Sequence, residues 1–321
     1  MTETSKPHGG FEKAGIGVLC VAVATLYLLA AFAPAAPRLP ARQGSDATPV
    51  ALVMPGGDGG VGYSAQLLHD AFDRIGYRLA AVGADGEPVP RILLAKMPRD
   101  LAEFGTVDMR KRIFLRIMLP LVLEVNSAIL RERKKLLDLK ARAEYGGLGA
   151  ADRDWLDRLA DNYGLADPDI AVLLNRVDVV PVSLALAQAA EESGWGTSRF
   201  TREGNALFGQ WTFSGSGLVP RRAEDAPYRV RAFSTLAEAV RAYSHNLNTH
   251  RAYDEFRRKR AAMRAAAVPL DGYALAGTLR QYSERREEYV RSLRSIIVAN
   301  DLQALDMARL AGQDAGYGTK Y

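Results

Sequence analysis

The chain has a single cysteine, Cys20, placed inside an apolar run, so no disulfide framework and no thiolate metal site can form within one chain. Histidine is nearly as scarce, with four in 321 residues, and His245 and His250 have no partner at a metal-ligand spacing such as H-E-x-x-H. No metal and no cofactor are implied. Charge of one sign is lacking too: 42 basic against 37 acidic residues leave a net charge of +5, which marks out no nucleic-acid partner. No internal repeat is visible. What remains is ordinary globular composition, 48% hydrophobic and 25% charged, in a chain long enough to bury a core that packing alone must stabilise.

One long hydrophobic run stands out. Gly15 to Ala33 is free of charge and, at about 1.5 Å rise per residue, is close to the length that crosses a bilayer. A transmembrane anchor over 15–33 is therefore expected, after a cytoplasmic N-terminus at 1–14. A cleaved signal peptide is the rival reading, because Ala31-Phe32-Ala33 has the small-x-small pattern, but the run exceeds the usual apolar stretch of about 7 to 15 residues. Pro34 to Ala47, rich in Pro, Ala and Arg, reads as a linker.

Residues 48–88 read as a small α/β unit: a strand over Val50 to Met54, an amphipathic helix over Ser64 to Ile75, and a strand over Arg78 to Val82. The glycine run Gly57-Asp58-Gly59-Gly60-Val61-Gly62, with Asp85 downstream, matches G-x-G-x-x-G. No further βαβ units follow, so a flexible loop is the better reading and no nucleotide cofactor is expected. Residues 89–179 read as a helical extension, dominated by a long helix from Met109 to Arg142 with Pro120 inside it, followed by helices at Asp152 to Tyr163 and Asp169 to Asn175. In the third segment, 180–302, an almost wholly apolar helix spans Val182 to Ser193 behind Pro181, which marks it as buried. A strand at Tyr228 to Phe233 and helices at Thr235 to Leu247, His250 to Ala266, Asp271 to Tyr282 and Glu287 to Asn300 complete it. Residues 303–321 read as a flexible tail.

Chemistry concentrates where the buried helix ends, in Ala187-Gln188-Ala189-Ala190-Glu191-Glu192-Ser193-Gly194-Trp195-Gly196. Burial beside an aromatic such as Trp195 and the negative end of the helix dipole would both raise a carboxyl pKa there, keeping an acid protonated near neutrality. Taken alone, Glu-Ser-Gly more often just caps a helix end. The stretch Asn205-Ala206-Leu207-Phe208-Gly209-Gln210-Trp211 adds amides and aromatics, the groups that hold a sugar ring, although a buried aromatic turn is its bland reading.

AQAAEESGWGTSRF, the Asn-x-Leu-Phe-Gly stretch and TLAEAVRAYSHNLNTHRAY together resemble the glucosaminidase family, glycoside hydrolase family 73, in its Bax-type bacterial branch. The resemblance covers roughly Val89 to Leu302. It implies a mainly α, lysozyme-like α+β catalytic domain with a small β-hairpin lobe, preceded by a helical extension and the N-terminal transmembrane helix. The implied activity is an endo-acting β-N-acetylglucosaminidase that cuts the β-1,4 bond after N-acetylglucosamine in peptidoglycan glycan strands. By position the resemblance makes Glu192 the general acid, offers Glu224 or Asp225 as the second acid, and brings Tyr282 to the cleft. Gln188, Trp195, Asn205, Phe208, Gln210 and Trp211 become the expected substrate-binding residues. The expected location is the bacterial inner membrane, single-pass, with the catalytic domain in the periplasm. A lytic transglycosylase and a non-catalytic glycan-binding envelope scaffold are the alternatives.

Overall fold

The structure, a computed structural model, describes residues 63–213, 217–219 and 228–313. The expected anchor, the linker, the strand at Val50 to Met54, the glycine run, and both Glu224 and Asp225 lie outside the described residues. What is described is mainly α.

Helices α1 (Ala65–Arg74) and α2 (Leu79–Asp85) come first, then the 39-residue α3 (Val107–Tyr145). The helices α4 (Ala150–Asn162), α5 (Ile170–Arg176), α6 (Val182–Ser193) and α7 (Arg199–Gly204) lead to three short strands, β1 (Trp211–Thr212), β2 (Gly217–Leu218) and β3 (Arg229–Arg231). The chain closes with α8 (Leu236–Thr249), α9 (Asp254–Ala265), α10 (Gly272–Ala276), α11 (Glu287–Ala299) and a 3-10 turn at Leu302–Leu305.

Helix α3 sits at the back of the core. At about 1.5 Å per residue it is close to 58 Å long, and it is apolar enough to cross a membrane by length and composition, yet Ile113 to Leu123 is buried inside the protein. Its N-terminus is capped by Thr106, whose hydroxyl accepts from the Met109 N–H, and the helix continues through Pro120.

Helix α6 is the centre of the molecule. Every residue from Val182 to Ala190 is buried, and α3, α10, α11 and the closing 3-10 turn all pack on it. Four alanines on α6 let neighbours come close. The tightest approach is at Gly272, where a Cβ would fall 2.1 Å from Ser183 Oγ, so only glycine fits at the start of α10. Pro181 supplies α6 with no side-chain cap. Asp306, 123 positions away, provides it instead: its Oδ1 accepts from the Ser183 N–H at 2.7 Å and its Oδ2 from Ser183 Oγ at 2.8 Å.

The strands form a small antiparallel sheet in the order β1-β3-β2, with Trp211 opposite Val230 and Gly217 opposite Arg231. A hydrogen bond from the Arg231 N–H to the Gln210 carbonyl continues the pairing toward α6.

Several expectations need correction. Arg78 to Val82 is not a strand: Leu79–Asp85 is helical, its alanines favouring helix and its exposed C-terminal end closed by Gly86 in the left-handed region. The described part of the 48–88 segment is thus helical rather than α/β, and a single hydrophobic core runs from Ala65 to Leu310 across the boundaries expected at 88/89, 179/180 and 302/303. Residues 303–313 are no loose tail, since Leu305 and Leu310 are buried and Val89 exchanges backbone hydrogen bonds with Arg309 and Ala311. The helix expected over Asp271 to Tyr282 is confined to Gly272–Ala276, after which turns carry Tyr282 toward α6.

The approach to α6 is held by buried charge. Asp178 is 2% exposed and accepts two hydrogen bonds from Arg264, at 3.1 and 2.9 Å, while Arg133 and Arg260 lie within 3.8 Å. Burial alone would push the Asp178 carboxyl up, but Arg260, Arg264 and Arg133 outweigh it and hold the group below its ordinary range. Arg260, fully buried on α9, also donates to the carbonyls of Asp178, Val179 and Asn175 and to Asn248 Oδ1, tying α5, α8 and α9 to the segment that leads into α6. Asp178→Asn strands three guanidinium groups, and a loss of roughly 3–5 kcal/mol in urea-unfolding stability at pH 7 is expected. A midpoint unchanged from the parent protein would refute it.

Candidate active site

Glu192 occupies the last turn of α6. Gly194 ends the helix at φ +57°, Trp195 follows at φ +59° with its N–H on the Ala190 carbonyl, and buried Ser193 locks the turn by donating to Ala189 O and accepting from the Gly196 N–H. The Ser of Glu-Ser-Gly is therefore a scaffold group. Glu192 as a residue stays part-exposed.

The two acids of the pair have separate fates. Arg285 Nη2 donates to Glu191 Oε1 at 2.6 Å and Ser292 Oγ donates to Glu191 Oε2 at 2.8 Å, so Glu191 is a paired carboxylate. Among the described residues, no cationic side chain forms an ion pair with Glu192. Packing around it pushes its pKa up to about 7, and the negative charge of Glu191 adds to the rise, while a hydrogen bond from Tyr289 and the positive charge of Arg285 work against it. Its position at the C-terminal, electronegative end of α6 acts in the same upward direction. A carboxyl in this state is half protonated near neutrality and can donate a proton.

Aromatic rings wall the acid. Tyr282 lies parallel to Tyr289 with centroids 5.5 Å apart, and its hydroxyl donates to the Phe208 carbonyl at 3.3 Å. Phe208 stacks on Tyr243 at 3.9 Å. Gly209, next in the chain, turns at φ +59° so near Glu192 that a Cβ there would sit 3.6 Å from Oε2. Behind the rings, Tyr243 Oη donates to Gln188 Oε1 at 2.6 Å and Gln188 Nε2 donates to Tyr289 Oη at 2.9 Å.

The expected site residues divide accordingly. Tyr282 packs on Tyr289, the residue that hydrogen-bonds Glu192. Gln188, fully buried with both ends of its amide engaged, faces Tyr243 and Tyr289 and not a substrate. Asn205, 5% exposed, takes the left-handed turn after α7 and donates to the Phe233 and Ser234 carbonyls, which fastens the loop to the segment between β3 and α8. Phe208 is buried against Tyr243 and leaves no face for a sugar. These three were expected to bind substrate and instead build the walls, because a motif rich in amides and aromatics serves a packed turn equally well.

Trp195, Gln210 and Trp211 keep part-exposed surface. Trp195 leans on Phe114 of α3 with Lys111 Nζ 5.0 Å above its ring, so the aromatic expected beside the acid is turned toward α3. Gln210 donates to the Ala242 carbonyl at 3.2 Å. Trp211 stacks on Tyr228 across the sheet at 3.7 Å. Neither Tyr243 nor Arg285 was singled out from the sequence. The available signal was Gln188 and Glu192 four apart on one face of a buried helix, a polar pair that requires buried partners. Among the described residues, no group of three or more His, Cys, Asp or Glu side chains could hold a metal ion.

A mainly helical body that carries a part-exposed carboxyl of raised pKa is in keeping with a glycosidase. Residues 168–302 match the family model described as glucosaminidase, mannosyl-glycoprotein endo-beta-N-acetylglucosaminidase, which supports a hydrolase acting on glycans. Over 199 residues the chain is 35% identical to Protein bax of Escherichia coli (strain K12), covering 59% of this chain and 69% of that protein. The chain belongs to the Bax-type bacterial proteins with a glucosaminidase domain. No solved structure matches it.

A raised carboxyl pKa has a thermodynamic consequence. Glu192 binds its proton more tightly when folded, about 7 against 4.5, so its charge opposes folding above pH 7 and the penalty disappears as pH falls below about 4.5. Glu192→Gln is therefore expected to raise Tm by at least about 3 °C at pH 8 and to match the parent protein at pH 4. Equal Tm values at pH 8 would contradict the raised pKa.

Proposed function

We propose that this protein is a peptidoglycan hydrolase, an endo-acting β-N-acetylglucosaminidase that cuts the β-1,4 bond after N-acetylglucosamine with Glu192 as general acid. The observation that carries the reading is the division of labour in the acid pair: Arg285 neutralises Glu191, while Glu192 holds a proton near pH 7 at a part-exposed helix end. A glycosidic oxygen leaves far more readily as an alcohol than as an alkoxide, and a carboxylic acid with a pKa near 7 is suited to supply that proton. The helical body with a small sheet beside the acid is in keeping with a lysozyme-like two-lobed domain. Trp211, on that sheet, and Gln210 and Trp195 are the expected substrate contacts that retain exposure.

The opposite face of the sugar needs a second group. Glu224 serves as general base in this reading, activating a water in the gap of about 6.5–9.5 Å that inverting enzymes leave between their carboxyls. The substrate's own 2-acetamido group is the alternative nucleophile. The Gly15 to Ala33 segment anchors the chain in the inner membrane with the catalytic domain in the periplasm, where peptidoglycan is the adjacent polymer.

Glu192→Gln is expected to abolish turbidity loss of purified cell walls and Glu224→Gln to reduce it. The parent rate should fall as pH rises through about 7, when Glu192 loses its proton. Digests should carry N-acetylglucosamine at the new reducing ends by mass spectrometry. Full activity in Glu192→Gln ends the reading, and anhydro-muramyl ends would assign the chain to lytic transglycosylases instead.

A further inference from the structure

The hydrogen-bond chain behind Glu192 has a direction. Tyr243 is 1% exposed and Gln188 and Tyr289 are fully buried, so water cannot substitute for any link. Each tyrosine hydroxyl has one proton to give. Tyr243 gives its proton to Gln188 Oε1, which turns the amide so that Nε2 faces Tyr289, and Nε2 donates to Tyr289 Oη. Tyr289 Oη is then an acceptor toward Gln188, and its own proton goes to Glu192.

The reversed chain is sterically equivalent. Glu192 would donate to Tyr289, Tyr289 to Gln188 Oε1, and Gln188 Nε2 to Tyr243. In that arrangement the Tyr243 proton needs a new acceptor, and among the described residues its hydroxyl is bonded to Gln188 alone. A buried donor without an acceptor costs about 1–3 kcal/mol, which is ample to keep the chain in the first direction. The two directions place the Glu192 proton differently. In the first, Tyr289 occupies one carboxyl oxygen as donor, so an acid proton must reside on the other. In the reversed chain the acid proton points inward at Tyr289 and is lost to a substrate.

We propose that Gln188 and Tyr243 are positioning residues of the active site: by fixing the polarity of the Tyr243–Gln188–Tyr289 chain they keep the proton of Glu192 on the oxygen that Tyr289 does not hold. The proposal rests on Glu192 being the general acid. Among the described residues, the other charged groups acting on Glu192 are Glu191 on its own helix and Arg285 from the loop before α11, and these two are already paired with each other. Burial holds both Tyr243 and Tyr289 well above their ordinary range, so neither ionises at working pH. Gly209 and Phe208 contribute no titratable group from the third side.

Titration of the Glu192 carboxyl by 13C NMR, with the resonance assigned by its loss in Glu192→Gln, reads the relay without relying on activity. Tyr289→Phe removes the donor and should raise the Glu192 midpoint by about one pH unit. Tyr243→Phe keeps the ring that stacks on Phe208 but frees the amide to turn, letting Tyr289 donate to Gln188; it should raise the midpoint similarly, and lower kcat on cell walls with KM unchanged. Gln188→Met offers Tyr289 no rival acceptor and should move the midpoint by less than half as much. A Tyr243→Phe midpoint equal to the parent's overturns the proposal, as does a Gln188→Met shift equal to that of Tyr243→Phe, which would reflect disturbed packing. If Glu192→Gln digests cell walls at the parent rate, the general-acid reading fails, whereas the titrations still report whether the chain has a direction.

Discussion

A carboxyl held at the end of a helix that is otherwise wholly buried is the constraint from which the rest of this structure follows. Helix α6 has no solvent face between Val182 and Ala190, so its neighbours must surround it, and its alanines let them approach closely. Whatever is attached to its C-terminal turn is thereby carried to the margin of the core and held there rigidly. Glu192 is that group. Its raised pKa is the electrostatic result of dense packing, an adjacent negative charge and the helix terminus, only partly offset by Tyr289 and Arg285.

Burying α6 creates polar groups that its own sequence cannot satisfy, and the solutions come from distant parts of the chain. Asp306 caps its N-terminus from beyond the last helix. Asp178 and three arginines secure the chain just before it. Gln188, in its interior, is satisfied by Tyr243 of α8 and Tyr289 of α11. Each solution has a double effect. The cap fastens the C-terminal segment to the core, the ionic cluster joins four helices, and the Gln188 bonds deliver a hydroxyl to the acid.

The features that could be read without the structure were those set by local rules. Pro181 before and Gly194 after an apolar run delimited α6 to the residue, and the long 3.6-residue periodicity located α3 within a few positions. Arg78 to Val82 was misread because a short apolar stretch suits strand and helix alike. Residues 303–321 were taken for a tail because their few apolar residues show no period. Leu305 and Leu310 are nonetheless buried, one at a time, by a surface made elsewhere. At the site, the family resemblance pointed to Glu192 as the acid and Tyr282 at the cleft, and Gln188, Asn205 and Phe208 were expected to bind substrate although they are internal. An amide or an aromatic has the same letter whether it faces a sugar or a neighbouring ring.

By itself the sequence determined which helix would be buried, where it would stop, and that a carboxylate would stand at its end, since helix periodicity and Pro/Gly termini act over a few residues. Only the tertiary structure decided which of the two adjacent acids is free and which is paired. That choice depends on Arg285 and Ser292, about a hundred residues downstream, meeting Glu191 while Tyr289 meets Glu192. Charge and hydrogen bonding act through space over a few ångströms, and no local pattern encodes which distant side chains arrive there.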